Sequence, residues 1–298
     1  MVSFANRSIV PNQHILLKYV STEKYARDFM DGILYMNSLE FFWNEFNVAK
    51  EQIEVNGQRD LFEGTYCNVD ALRFGFPEDF CNALATDVSI RAEGYRYCHV
   101  HCYYRLDYWI NGMTVSFDTN DLMNDFGKYV IIIEDEQKFL RRVDKAAKAK
   151  GVEYLCGNVR YHKPMKNGKN ANYKHGMVVK LQDVLVDITA PVYSEMITGK
   201  RDAFDKMDSM SYQNEWRIAA YDGKKNSGAD TLLIEEGIWD IAHMVKAEDV
   251  VDSVKKLFTE RKIMPGSVGW FGNISRRDMR EKFYSLGDNK GAVLGTIG

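Results

Sequence analysis

The chain has 298 residues, 45% of them hydrophobic and 27% charged, with a formal net charge of −3, the make-up of a globular protein with a sizeable core and without the global basic field that gathers nucleic acid. No run approaches the roughly 20 apolar residues that cross a bilayer, and the opening MVSFANRSIVPNQ lacks a signal-peptide pattern. Five cysteines (67, 81, 98, 102 and 156) form no dense framework and fit reduced thiols, so a cytoplasmic protein with no membrane partner is expected.

HILLKYV at 14–20 reads as a short apolar strand. Ser21 or Thr22 is placed to cap a helix through TEKYARDFMDG, whose Tyr25, Phe29 and Met30 share a face, and Gly32 suits its stop. ILYMNSLEFFW returns as strand, turn and short helix, and Asn56-Gly57 marks a turn in a less regular stretch over 44–95. YRYCHVHCYYR then alternates, with Tyr95, Tyr97, His99, His101 and Tyr103 on one face. YVIIIE at 129–134 has the continuous apolar character of a strand covered on both sides. A helix is predicted over 135–150, ended by Gly151, with strands to follow at 152–162 and 176–188. Residues 192–210 read as helical or irregular, SYQNEWRIAA as a strand, TLLIEE and DIAHMVK as later strands, and 247–260 as a helix. Ser275 with Asp278 signals the start of a last helix through Ser285. Strands interrupted by helices, without regular βαβ alternation, predict one α+β domain over 1–298 with mixed or antiparallel sheets flanked by helices.

The strand at 211–220 has an unusual face. Alternation sends Tyr212, Asn214, Trp216 and Ile218 one way and Gln213, Glu215 and Arg217 the other. A carboxylate beside a guanidinium stays ionised, and an ionised carboxylate stabilises the positive charge that develops on a ribose when nicotinamide leaves NAD. A strand-surface ion pair is the plainer alternative. At the other end of the chain, the strand–helix–strand unit brings Lys18, Tyr19, Ser21 and Asn37-Ser38 within reach of a nucleotide's phosphates and hydroxyls. Arg59, in GQRDLFEG, is a further phosphate-reading candidate. Arg160, Lys163, Lys166, Lys169 and Lys174 interleave with Tyr161 and Tyr173, a pattern that fits either tracking of a nucleic-acid backbone or an inert basic loop between strands. Cys98, His99, His101 and Cys102 do not converge on one metal ion, because a strand puts the histidines on one face and the cysteines on the other, so no metal site is expected unless a carboxylate or His162 joins the two histidines.

KYVS at 18–21, QRDLFEG at 58–64 and YQNEWR at 212–217 together resemble an uncharacterised bacterial family with a late Tyr-x-x-Glu-Trp-Arg strand. More distantly, the strand–helix–strand start and the late Gln-x-Glu are similar to ADP-ribosyltransferases. In those enzymes an Arg or His on the first strand, a Ser or Tyr on a middle strand and a late Glu surround NAD. The resemblance implies an ADP-ribosyltransferase-like fold and NAD as a consumed substrate, with Lys18 or Tyr19 at the Arg/His place and Ser38 as the middle group. It puts Glu215 at the glutamate place and Gln213 two residues before it, and implies a toxin or phage-defence effector acting on a macromolecule. The alternatives are a non-catalytic module that binds a nucleotide or nucleic acid through Arg59, Arg217 and the 160–174 segment, and a structural or partner-binding protein.

Overall fold

The structure, a computed structural model, describes residues 13–42, 67–70, 87–90, 98–111, 114–117, 126–162, 173–174, 177–178, 203–221, 228–260 and 271–272. In chain order these form β1 (Gln13–Val20), helix α1 (Glu23–Met30), β2 (Ile33–Ser38), β3 (Cys67–Asp70), β4 (Asp87–Ile90), β5 (His99–Asn111) and β6 (Thr114–Phe117). Then come β7 (Tyr129–Ile133), helix α2 (Glu136–Lys150), β8 (Glu153–Asn158), β9 (Arg160–His162), β10 (Tyr173–Lys174), β11 (Met177–Val178) and β12 (Asp205–Met207). A 3-10 helix over Asp208–Gln213 leads into β13 (Glu215–Tyr221), followed by β14 (Asp230–Leu233), β15 (Ala242–Lys246), helix α3 (Val250–Thr259) and β16 (Phe271–Gly272). The expected turn at Asn56-Gly57 and the helix from Ser275 lie outside the described residues, as does most of the strand expected at 176–188.

A ten-stranded sheet in the order β15-β7-β1-β5-β13-β8-β16, joined by β2, β6 and β14, forms the body of the fold. Its pairings are antiparallel, and β9 and β12 form a separate parallel pair. The architecture is α+β with an open sheet. On one side, α1 and α2 lay Phe29, Met30, Phe139, Leu140 and Val143 against Leu16, Ile131, Ile133, Tyr103, Trp216 and Ile218. On the other, α3 lays Val250, Val254 and Leu257 against Ile15, Leu17, Val130 and Ile132. Successive residues of β7 therefore bury in opposite cores, which is why that strand has no polar face.

Helices α1 and α2 carry the end signals their sequence announces. The Thr22 hydroxyl accepts the Tyr25 N–H at the start of α1, and the Asp135 carboxylate accepts the Lys138 N–H at the start of α2. Gly151 closes α2 at φ +72 in the left-handed region. The face expected for α1 is corrected by one position. Ala26, Phe29 and Met30 are buried, while Tyr25, turned ~100° from its neighbour around the helix, is 56% exposed. The strand expected over 152–162 divides at Val159 into β8 and β9, because the Val159 N–H turns to the Glu215 carbonyl while β9 pairs with β12.

The feature that positions the site is a fork. One edge of β5 is paired by β1 as far as Leu17↔Tyr104 and by β2 from Asn37↔Val100. The opposite edge is paired by β13 over the same residues, from Glu215↔Tyr104 to Ala220↔His99. β1 and β2 therefore run in the same direction along one edge of β5 but diverge, and His101–Tyr103 faces the gap between them. β1 bends away because it continues its ladder with β7 to Val20↔Tyr129, whereas β2 turns to β14.

Candidate functional site

The late strand begins later than its alternation suggests. Ser211, Tyr212 and Gln213 belong to the 3-10 helix, and Asn214 takes a left-handed conformation at φ +36, which asparagine tolerates better than most residues. Its side-chain amide donates to the Arg105 carbonyl at 2.6 Å and the Asp107 carboxylate at 3.2 Å, while its own carbonyl accepts the Arg105 N–H at 2.8 Å. Tyr212 and Asn214 are thus turn residues, not members of a strand face. From Glu215 onward the alternation holds, with Trp216 and Ile218 in the helix-covered core and Glu215 and Arg217 on the other side.

That second side is not a solvated surface. Glu215 is 7% exposed and Arg217 2%. Arg217 grips the carboxylate with two donors, Nε to Oε1 and Nη2 to Oε2 at 3.2 Å, and its Nη1 donates to the Ala203 carbonyl at 2.6 Å. Lys206, brought in by β12, places Nζ 2.8 Å from Glu215 Oε2 and donates to the Gln213 side-chain carbonyl at 2.8 Å. The Tyr161 hydroxyl accepts the Glu215 N–H at 2.8 Å. The result is a buried carboxylate clamped by two cations, with Gln213 orienting the lysine.

This cluster forms one wall of a cavity of about 240 Å³ at the fork. Lys18 and Tyr19 from the end of β1, Tyr35 and Asn37 from β2, and Cys102, Tyr103 and Tyr104 from β5 complete it, together with Phe42 and Phe126. Lys18 donates to the Cys102 carbonyl at 2.9 Å and its Nζ sits 5.8 Å from the centre of the Tyr103 ring. Tyr19 meets Tyr104 edge to face with ring centres 6.4 Å apart. Among the described lining residues, Lys206 and Arg217 outnumber the single carboxylate of Glu215, and Lys18 adds a third basic group.

Burial and charge set the protonation of these groups. Burial alone would raise the Glu215 carboxyl, but Arg217 and Lys206 outweigh it and hold the group well below the usual carboxylate range. The Lys18 ammonium is lowered by burial, which Cys102 and Glu215 only partly offset. Burial, reinforced by Glu215, pushes the Cys102 thiol up to about 12, so it is a protonated and unreactive sulfur. The Tyr19 hydroxyl is raised by burial and by Tyr104. Desolvation and the nearby Lys18 lower His101, whose neutral ring stacks on Phe29 and Tyr103 at 5.2 and 4.9 Å.

Of the residues singled out in the sequence, Lys18, Tyr19, Gln213, Glu215 and Arg217 meet in this cavity, with Asn37 beside them. Ser21 is exposed just ahead of the α1 cap. Ser38 is fully buried, its hydroxyl accepting the Phe41 N–H at 3.2 Å, and it does not line the cavity. Arg59, Lys163, Lys166 and Lys169 lie outside the described residues, as does the side chain of Lys174, while Arg160 is half-buried in β9. Among the described residues no three His, Cys, Asp or Glu side chains gather to hold a metal ion. Sequence reasoning missed Lys206, Cys102, Tyr104 and Phe126. Only Cys102 and Tyr104 carried a signal, as the strand positions opposite the His101–Tyr103 face. No family model, curated protein or solved structure matches the chain.

Proposed function

We propose that the protein binds a nucleotide in the fork and, following the resemblance of its motifs to ADP-ribosyltransferases, that it consumes NAD there. The observation that carries this proposal is the convergence of Lys18 and Tyr19, from the first strand, with Glu215, Arg217 and Lys206 around one cavity. The excess of cations over carboxylate favours a phosphate. Tyr19, Tyr104 and Phe126 offer rings to a base or a nicotinamide. A volume of about 240 Å³ lies under the roughly 300–1,000 Å³ of sites that enclose a whole cofactor. It suits one nucleoside-phosphate half, with the remainder at the mouth beside the exposed Tyr35. In the reaction the bond between ribose C1 and the nicotinamide nitrogen breaks and its electron pair leaves on nicotinamide. The ionised Glu215 faces the positive charge left on the ribose until an acceptor nucleophile adds at C1.

One observation favours a second form of the same proposal, nucleotide binding without bond cleavage: both oxygens of Glu215 already accept from Arg217 and Lys206. Incubation with NAD and measurement of free nicotinamide, alongside calorimetric titration with ADP, separates the two. Turnover predicts nicotinamide release, reduced about 100-fold in Glu215→Asp, which keeps the charge and withdraws it by about one bond. ADP binding without nicotinamide release leaves the binding form alone, and absence of both NAD and ADP binding removes the proposal altogether.

A further inference from the structure

The cavity holds two lysines in opposite electrostatic circumstances. Lys206 lies 2.8 Å from the Glu215 carboxylate, which serves as its counter-ion. Lys18 is half-buried, and among the described residues no carboxylate lies within ion-pair distance of it. Among the described residues, its polar contacts are the Cys102 carbonyl, to which it donates, and the face of the Tyr103 ring. A lysine partly withdrawn from water, with no carboxylate at ion-pair distance among the described residues, and sharing a cavity with other cations is the arrangement that turns an ammonium into an amine nucleophile. The lowering of Lys18 by burial agrees with it.

We infer that Lys18 is an imine-forming lysine and that the cleft captures phosphorylated aldoses through it, the phosphate lying on Lys206 and Arg217 and the open-chain aldehyde at Lys18 Nζ. The inference rests on the proposal that the cleft binds the ribose-phosphate part of a nucleotide, and it names the class: ribose 5-phosphate and ADP-ribose, whose C1 opens to an aldehyde. The unshared pair of Lys18 Nζ attacks the aldehyde carbon. The carbonyl oxygen takes up a proton to give a carbinolamine, and loss of that oxygen as water leaves the C=N bond. Water adds back to release the sugar. Cys102 does not compete, because its thiol is protonated, and the Cys102 carbonyl holds the amine at the fork. If NAD is cleaved in this cleft, its ADP-ribose product is itself such an aldose, and capture at Lys18 would delay its release.

The test is reductive trapping of the full chain. The protein is incubated with ribose 5-phosphate, or separately with ADP-ribose, and sodium cyanoborohydride, then analysed by intact mass and peptide mapping. The expected product adds the mass of the aldose phosphate less one oxygen, at Lys18, at least tenfold faster than at the exposed Lys24 and Lys145. ADP should suppress the label, and Lys18→Arg and Lys18→Met, checked for folding by thermal melting, should lose it. Unphosphorylated ribose should label Lys18 no faster than the exposed lysines. Labelling spread evenly over surface lysines, or unchanged in folded Lys18→Arg, overturns the inference. ADP binding by calorimetry in a protein that forms no Lys18 adduct defeats imine formation while leaving nucleotide binding standing. A Lys18 adduct with ribose 5-phosphate in a protein that binds neither ADP nor NAD does the reverse.

Discussion

Neutralising Glu215 tests the site most directly, because the carboxylate is the single negative charge between two buried cations. Glu215→Gln keeps the shape and removes the charge, leaving the guanidinium of Arg217 and the ammonium of Lys206, both under 5% exposed as side chains, without it. Removing one partner of a buried pair costs about 3–5 kcal/mol, mostly the penalty of the charge left behind. At 2–4 °C per kcal/mol for a chain approaching this size, the melting temperature should fall by about 6–20 °C. Lys206→Met leaves the two-pronged Arg217–Glu215 contact in place and should cost less, about 1.5–3 kcal/mol for a lost charged hydrogen bond. In the double variant one of the two stranded cations is gone, so the double should be more stable than the sum of the singles predicts by ~1 kcal/mol or more. Urea denaturation at pH 7, with slopes compared to confirm that only stability has changed, measures all four proteins. Inorganic phosphate should restabilise Glu215→Gln more than the parent, since an anion can replace the missing carboxylate. A Glu215→Gln protein within about 1 kcal/mol of the parent, with additive singles and no selective phosphate effect, would refute the claim that these charges are desolvated and paired.

The same carboxylate sets an acid limit. Its folded value lies well below the unfolded one of about 4.3, so its stabilisation is complete above that value and fades as pH falls through the folded one. The stability difference between parent and Glu215→Gln should therefore be flat from pH 7 to about 5 and shrink below about 4. A difference that grows on acidification would contradict it. Two glycines with similar backbones separate strain from sterics. Gly151 has φ +72 and open space where a methyl group would project, whereas Gly32 has φ +93 and the Ile234 carbonyl oxygen occupying that space. Gly151→Ala should cost about 1–2 kcal/mol. Gly32→Ala should cost distinctly more, as the chain there must move, and equal urea midpoints for the two would count against that packing.

Much of the local structure was readable along the chain because it follows from short-range rules. Short apolar runs marked β1 and the doubly buried β7, Thr22 and Gly151 marked helix ends, and the Gln-x-Glu-x-Arg spacing put three side chains on a common side even though Gln213 reaches it from a 3-10 turn. The one-residue error in the packed face of α1 arose because a two-turn helix has too few apolar positions to define its stripe without knowledge of the sheet beneath.

What the linear sequence determined is therefore a set of strands and helices, and a carboxylate and guanidinium fixed at two-residue spacing on one side of a strand. Tertiary structure alone decided that this side is buried, and that Lys206, one of 39 basic residues and set in a stretch with no regular pattern, supplies the second cation. It alone decided that β1 and β2 share one edge of β5 and part to open the cleft. Pairing and burial depend on residues far apart along the chain, and a side chain's charge state follows the water and counter-charges around it, not its neighbours in sequence.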